Sequence, residues 1–232
     1  MTVPQLVVAK PTSRTGEAIR GIRVGISLSN VDKPPKVVLF TSSVPAEGKS
    51  TVISSVAWSA AAVGQRVLLI DCDLRHPSTS KLHGLEGSKG IVDVLAGTVE
   101  LRHALVSFFN GNLSVLAAGS PTKSPPDVLG SQRMRALIDT VRNEFDLVLI
   151  DAPPVAPVMD AQVIASMVDK AVFVIEWDKT PREIVMRAVK ILDGTTNVIS
   201  GFVLNKTNMK KLSRYSQYYS YGYERYNKYY NE

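Results

Sequence analysis

The sequence predicts an α/β fold: a doubly wound, mainly parallel sheet with helices on both faces. Three observations predict it. Short apolar runs alternate with longer helix-like segments along most of the chain. Runs such as Val67-Leu-Leu-Ile70 and Leu147-Val-Leu-Ile150 are apolar at every position, as strands buried on both faces are. Two of these runs end in aspartate, at Asp71 and Asp151, and another opens into a loop of small residues. Length and composition agree, since 232 residues with 45% hydrophobic content supply the core of one α/β domain. No apolar run approaches the ~20 residues of a membrane span. No charged–apolar–small leader is read at the start, and the single cysteine, Cys72, precludes an intrachain disulfide, which fits a reducing cytosol. His76, His83 and His103 lack the spacing of metal ligands.

Residues 1–14 carry Pro4 and Pro11 among polar groups and are expected to form an extended lead-in. Thr15 is placed to cap a helix from about Glu17 to Leu28. On that helix Glu17, Arg20 and Arg23 recur every third residue, which spreads them over about a third of the circumference. Taken alone, such a face is a solvated one. Val31-Asp-Lys-Pro-Pro35 then stops the helix.

Val37 to Phe40 is the first strand and Thr51 to Val63 a helix, with Gly48-Lys49-Ser50 between them. A strand, a small-residue loop and a helix in this order form a phosphate-binding loop. The first N–H groups of the helix point at an anion, and the helix dipole favours negative charge there. Lys49 is placed to reach terminal phosphates, and the Ser50 hydroxyl to ligate Mg²⁺. The strict pattern has glycine five residues before Gly48, where this chain has Ser43.

The second strand, Val67 to Ile70, runs into Asp71-Cys-Asp73-Leu-Arg75-His-Pro77. Residues two apart on a strand point to one side, so Asp71 and Asp73 are expected to face one site. Two carboxylates at the end of a buried strand are costly unless a cation or donors meet them. Residues 78–112 read as short helices and loops, including Gly90 to Gly97 and Leu101 to Phe109. Leu113 to Leu116 is a third strand, and Val128 to Glu144 a helix with Leu129, Met134, Leu137, Ile138 and Val141 near one face. Phe145 to Ile150 is a fourth strand, ending in Asp151-Ala-Pro153-Pro154. An apolar strand ending in aspartate downstream of a phosphate loop suits a metal-holding carboxylate. Asp160 to Met167 is a helix, Ala171 to Glu176 a strand, Arg182 to Leu192 a helix and Val198 to Leu204 a last strand. Ligands in such sheets bind at the carboxyl ends of strands, where Lys49, Asp71, Asp73 and Asp151 all fall. Asn205 follows the last strand, placed either to contact a nucleotide base or to form a turn.

Residues 1–214 are read as the folded domain and 215–232 as a disordered tail. All 8 tyrosines lie in that tail, at Tyr215, Tyr218, Tyr219, Tyr221, Tyr223, Tyr226, Tyr229 and Tyr230. The formal charge of the chain is +6, and residues 206–232 hold six basic residues against two acidic, a net +4. The basic excess therefore belongs to the end of the chain and suits an acidic or phosphate-bearing surface. The residues alone allow a sticky end, a stacking surface for single-stranded nucleic acid, or a block of phosphate acceptors.

Together these segments resemble the bacterial tyrosine kinases of exopolysaccharide and capsule export. The resemblance covers the chain from about Glu17 onward. Ser42-Ser-Val-Pro-Ala-Glu-Gly-Lys-Ser50 looks like the Walker A loop of that family, Asp71-Cys-Asp-Leu-Arg-His-Pro77 like its second acidic motif, and Leu147-Val-Leu-Ile-Asp-Ala-Pro-Pro154 like its Walker B. Glu17-Ala-Ile-Arg20-Gly-Ile-Arg23 is similar to the helix through which members form rings, and the tyrosine cluster to their autophosphorylated tail. The resemblance implies an ATP- and Mg²⁺-dependent protein-tyrosine kinase. It implies nucleotide contacts from Ser43, Val44, Pro45, Ala46, Glu47, Gly48, Lys49, Ser50, Thr51 and Asn205. It implies metal ligation by Ser50, Asp71, Asp73 and Asp151, with Lys49 and the three aspartates catalytic and the tail tyrosines as acceptors. The partners it implies are a homo-oligomeric ring, a transmembrane polysaccharide co-polymerase that activates the kinase as a separate or fused chain, and a phosphatase, at the cytoplasmic face of the membrane.

Ala46 stands where the family usually has glycine. If that position needs a positive φ, alanine costs about 1 kcal/mol there. A second resemblance is to the partition and positioning ATPases, nucleotide switches acting on DNA or membrane. Those carry a second lysine early in the phosphate loop, where Val44 stands here, and lack a tyrosine tail.

Overall fold

A computed structural model describes residues 2–196, 198–208 and 211. The tail tyrosines and their expected disorder lie outside the described residues. The apolar runs become β1 (Val37–Ser42), β2 (Val67–Asp71), β3 (Leu105–Phe108), β4 (Leu113–Leu116), β5 (Leu147–Asp151), β6 (Lys170–Glu176) and β7 (Ile199–Asn205). They form one sheet in the order β3-β4-β2-β5-β1-β6-β7, parallel except for the β3–β4 pair. Every residue of β1, β2, β4 and β5 is buried, which is why these runs show no alternation. The edge strand β7 is covered less well, leaving Phe202 and Leu204 exposed.

Helices pack both faces. On one lie α1 (Val3–Ala9), α2 (Arg14–Leu28) and α3 (Lys49–Ala62), whose Val7, Ile19, Ile26, Ile53 and Val56 meet Val38 and Phe40 of β1. The next four helices are short: α4 (Ser78–Leu82), α5 (Ile91–Ala96), α6 (Leu101–Ala104) and α7 (Pro125–Leu129). On the opposite face α8 (Gln132–Glu144), α9 (Asp160–Ala165) and α10 (Arg182–Thr196) bring Met134, Ile138, Ile164 and Leu192 against Val37 and Leu39. Adjacent β1 residues thus serve opposite cores, the period-two geometry of a doubly wound sheet.

Four local expectations are corrected. The lead-in is not extended: Val3–Ala9 is helical, with Pro4 in its first turn, where a missing N–H costs nothing, and Val7 buried. The next helix begins earlier than Glu17, because Ser13, not Thr15, is its cap, accepting from Gly16 N–H at 3.1 Å. The helix expected from Val128 is two helices, split at Gly130, with Ser131 capping the second by accepting from Met134 N–H at 3.2 Å. The segment from Leu101 forms one helical turn and then the antiparallel edge strand β3, whose pairing with β4 no local pattern announces.

Candidate active site

β2, β5 and β1 are consecutive neighbours in the sheet, so their carboxyl ends open onto one place. From β1 the chain leaves at Ser42, turns through Ser43 to Glu47, and enters α3 at Lys49 with Gly48 as its cap at φ 89°. A side chain at Gly48 would strike the Asn205 amide, 2.2 Å from where its Cβ would lie. Ala46 does adopt the left-handed conformation, at φ 67°. The turn is braced from three sides. Glu47 is buried, and its carboxylate accepts from Val44 N–H at 2.9 Å, Glu176 N–H at 3.0 Å and Thr180 Oγ1 at 2.6 Å. Asn205 Nδ2 donates to the Glu47 carbonyl at 2.9 Å, and Lys206 Nζ to the Ala46 carbonyl at 2.7 Å. Asn205 thus lies against the phosphate loop, through a contact to its backbone.

The expected charged residues do converge. Lys49 is buried, with Nζ 2.9 Å from Asp73 Oδ2 and 3.4 Å from Asp151 Oδ1. It also donates to Ser50 Oγ at 3.4 Å. Burial works against the Lys49 charge, but attraction to Asp151, Asp73 and Asp71 outweighs it and holds its pKa above the ordinary lysine value. Asp71 and Asp151 lie opposite each other in the β2–β5 register. Burial, and then the Asp151 charge, push Asp71 up to about 7 against the donors of Ser80. Asp73 lies past the strand end, accepting from His76 N–H at 3.1 Å. The intervening Cys72 is fully buried, and burial beside these acids raises its thiol well above the ordinary value, which makes it a poor nucleophile.

Mg²⁺ fits the residues present. Asp151 Oδ1 and Ser43 Oγ are buried without a hydrogen-bond partner, and the donors gathered here are hard oxygens. Among the described residues no three His, Cys, Asp or Glu side chains form a metal cage. Mg²⁺ commonly takes one or two carboxylates and fills its octahedron with phosphates and water, so a cage is not required. Sequence reading missed the supporting residues. Thr79 and Ser80 bond Asp151 and Asp71, Glu176 and Lys206 brace the loop, and Arg75 pairs with buried Asp160 at 2.9 Å. Thr79, Ser80, Glu176 and Lys206 lie outside the recognised motifs, so no sequence signal marked them, and Arg75 lies within the Asp71–Pro77 motif but its pairing with Asp160 is not encoded there.

A phosphate loop facing two acidic strand ends of a doubly wound sheet defines a P-loop nucleotide-binding domain. Residues 36–201 match the AAA domain family. The tyrosine-protein kinase YwqD of Bacillus subtilis is 34% identical over 217 residues, 94% of this chain and 90% of that protein. The solved kinase domain of Escherichia coli tyrosine kinase ETK is 30% identical, with a TM-score of 0.79 over 86% of this chain and 78% of that one. The succinoglycan biosynthesis transport protein ExoP of Rhizobium meliloti is 32% identical over 92% of this chain, which spans 28% of ExoP. The chain belongs to the bacterial tyrosine-protein kinases.

Proposed function

We propose that this tyrosine kinase transfers the γ-phosphoryl group of ATP to tyrosines of its own C-terminal tail, presented by a neighbouring subunit. The observation that carries the reading is the buried Lys49, held between Asp73 and Asp151 at the mouth of the phosphate loop. Phosphates entering the loop compete with these carboxylates for Lys49, which places the lysine where charge develops during transfer. The N–H groups of Gly48 to Thr51 open α3 and bind the phosphate oxygens. Ser50 and Asp151 would hold Mg²⁺, which would neutralise phosphate charge there. In the transfer the phenol oxygen bonds to the γ-phosphorus, the bridging P–O bond breaks, and ADP leaves. The phenol proton, from a group with pKa of about 10, passes to Asp73 or Asp71.

The ring reading rests on α2. Arg20 pairs with Glu17 of the same helix at 3.2 Å, and Arg23 Nε is buried without a hydrogen bond. Val24 and Leu28 are exposed beside them, and a cavity of about 350 Å³ lies between α2 and β7. A neighbouring subunit supplying carboxylates to this face closes a ring, with its assembly weakened by salt. From Tyr215 to Tyr230 the chain spans at most roughly 50 Å, enough to reach an adjacent site. Each phosphate adds about −1.5 to −2 charge, so three outweigh the +4 carried by residues 206–232 and dissolve the ring. A phosphatase then resets the cycle. Among the described residues no helix is long and apolar enough to cross a membrane, and a separate or fused transmembrane activator places the kinase at the cytoplasmic face. The match to part of the much longer ExoP supports that arrangement.

The test mixes a Lys49→Met protein bearing an intact tail with active protein cut after Ser213. Phosphotyrosine on the Lys49→Met chain is the expected result. An unmodified Lys49→Met chain, beside full-length active protein that labels itself independently of concentration, refutes transfer between subunits. Absence of phosphotyrosine in every arm, with nucleotide hydrolysis stimulated by DNA or vesicles, supports the partition-ATPase reading instead.

A further inference from the structure

The roles above leave the short helix α4 unused, yet it touches both strand-end aspartates. Thr79 Oγ1 donates to Asp151 Oδ2 at 2.7 Å, and Ser80 donates to Asp71 Oδ2 from both its N–H and its Oγ at 2.7 Å. Both residues are buried. Ser80 Oγ also accepts from Ala118 N–H at 3.0 Å, so its single proton is committed to Asp71. Two carboxylates that repel each other are thus each turned by a hydroxyl of the same helix.

The outcome is asymmetric. Asp71 accepts on both oxygens, since Oδ1 takes Asp73 N–H at 3.2 Å. Asp151 accepts on Oδ2 alone. Its Oδ1 is buried without a hydrogen bond, 3.4 Å from Lys49 Nζ. The helix is fixed from behind as well. His83 Nδ1 lies 2.9 Å from the Thr79 carbonyl, which requires the proton on Nδ1 and leaves Nε2 to accept from Trp58 Nε1–H at 3.3 Å. Trp58 belongs to α3, the helix that begins with Lys49. The hydroxyl and the ammonium on either side of Asp151 are therefore tied to one rigid element.

We infer that Thr79 is a positioning residue for Mg²⁺-nucleotide binding: its hydroxyl occupies Asp151 Oδ2 and so presents Oδ1 alone to the metal beside Lys49. The inference rests on the proposed assignment of Mg-ATP to this site. Ser80 fastens Asp71 to the same frame, which leaves Asp151 as the strand-end carboxylate with an oxygen to offer.

The test uses the full chain and a fluorescent ADP analogue, titrated at a series of Mg²⁺ concentrations and in EDTA. Thr79→Val keeps the shape and removes the donor. It should raise the Mg²⁺ concentration needed for half-maximal binding about tenfold or more, the usual consequence of losing such a support. Affinity in EDTA should be unchanged. Thr79→Ser should restore the wild-type Mg²⁺ dependence, and in an Asp151→Asn background Thr79→Val should add nothing. If Thr79→Val fails to fold, Thr79→Cys, a weaker donor in the same space, takes its place in every arm. A variant that titrates Mg²⁺ like the wild type overturns the inference. So does an equal loss with Mg²⁺ and with EDTA, or an additive effect with Asp151→Asn. A wild-type protein whose nucleotide binding ignores Mg²⁺ overturns the proposed site itself, a result distinct from any of these.

Discussion

The two ends of the central strands treat carboxylates in opposite ways. At the amino ends each acid has an arginine of its own. Asp169 accepts from the N–H groups of Lys36 and Val37, both at 2.9 Å, and pairs with Arg142. Asp146 accepts from Arg66 N–H at 2.9 Å and pairs with its guanidinium at 2.8 Å. The Arg66 side chain and N–H hold Asp146 below its ordinary value. For Asp169 burial pulls upward, but Arg142 and the two N–H groups outweigh it and the net shift is also downward. At the carboxyl ends Asp71, Asp73 and Asp151 gather, and among the described residues their ion pairs run to Lys49 alone. A carboxylate balanced one to one ties strands to neighbouring elements. Three buried acids around one lysine, one with an oxygen unbonded, are poised for a further cation.

The largest break comes from removing the shared cation. Lys49→Met should lower tail phosphorylation about 100- to 1,000-fold, as loss of one preorganised donor does. An anti-phosphotyrosine blot with Mg-ATP reads it, and a rate near wild type would show that Lys49 is not part of the machinery. Asp73→Asn should give a comparable loss if Asp73 serves the phenol. Retained activity would leave that role to Asp71.

At the opposite end Asp169→Asn should destabilise without touching the chemistry. It weakens a charge-assisted contact to Arg142 and two N–H bonds, a loss of about 1–3 kcal/mol. Denaturant unfolding should show that loss while phosphotransfer per folded molecule stays unchanged. A parallel fall in both would mean that the two ends are coupled.

The same acids set a pH dependence. Their folded pKa values lie below the unfolded one, so their stabilisation is present above about pH 4 and lost as pH falls through the folded values. Thermal unfolding should therefore shift downward on acidification below about pH 4, and Asp169→Asn should flatten that shift. An unaltered slope in the variant would remove Asp169 from the account.

The smallest effect tests strain. Positive-φ residues other than glycine include Ala46 in the phosphate loop and Lys206, whose amine braces it. Ala46→Gly should relieve up to about 1 kcal/mol, raising the melting temperature by about 2–4 °C. No rise, or a fall, would show that the loop holds alanine without strain.

Much of this protein was legible in one dimension, and the reason is local. A parallel strand buried on both faces has to be apolar throughout, so β1, β2, β4 and β5 announced themselves. A phosphate loop requires its strand, turn and helix in immediate succession, so Gly48, Lys49 and Ser50 were readable in place, and with them the aspartates closing two strands. The sequence determined the fold class, the side of the sheet that carries the chemistry and the charged residues that meet there. How those charges are held depends instead on contacts between segments far apart in the chain. Thr79 and Ser80 reach Asp151 and Asp71 because α4 folds back over the ends of β2 and β5, across a sequence separation of 72 residues for the Thr79 bond. Glu47 meets Thr180 across 133 residues, and β3 takes its strand form from pairing with β4. Such contacts depend on the sheet order, which hydrogen bonding between distant segments fixes and no local periodicity encodes.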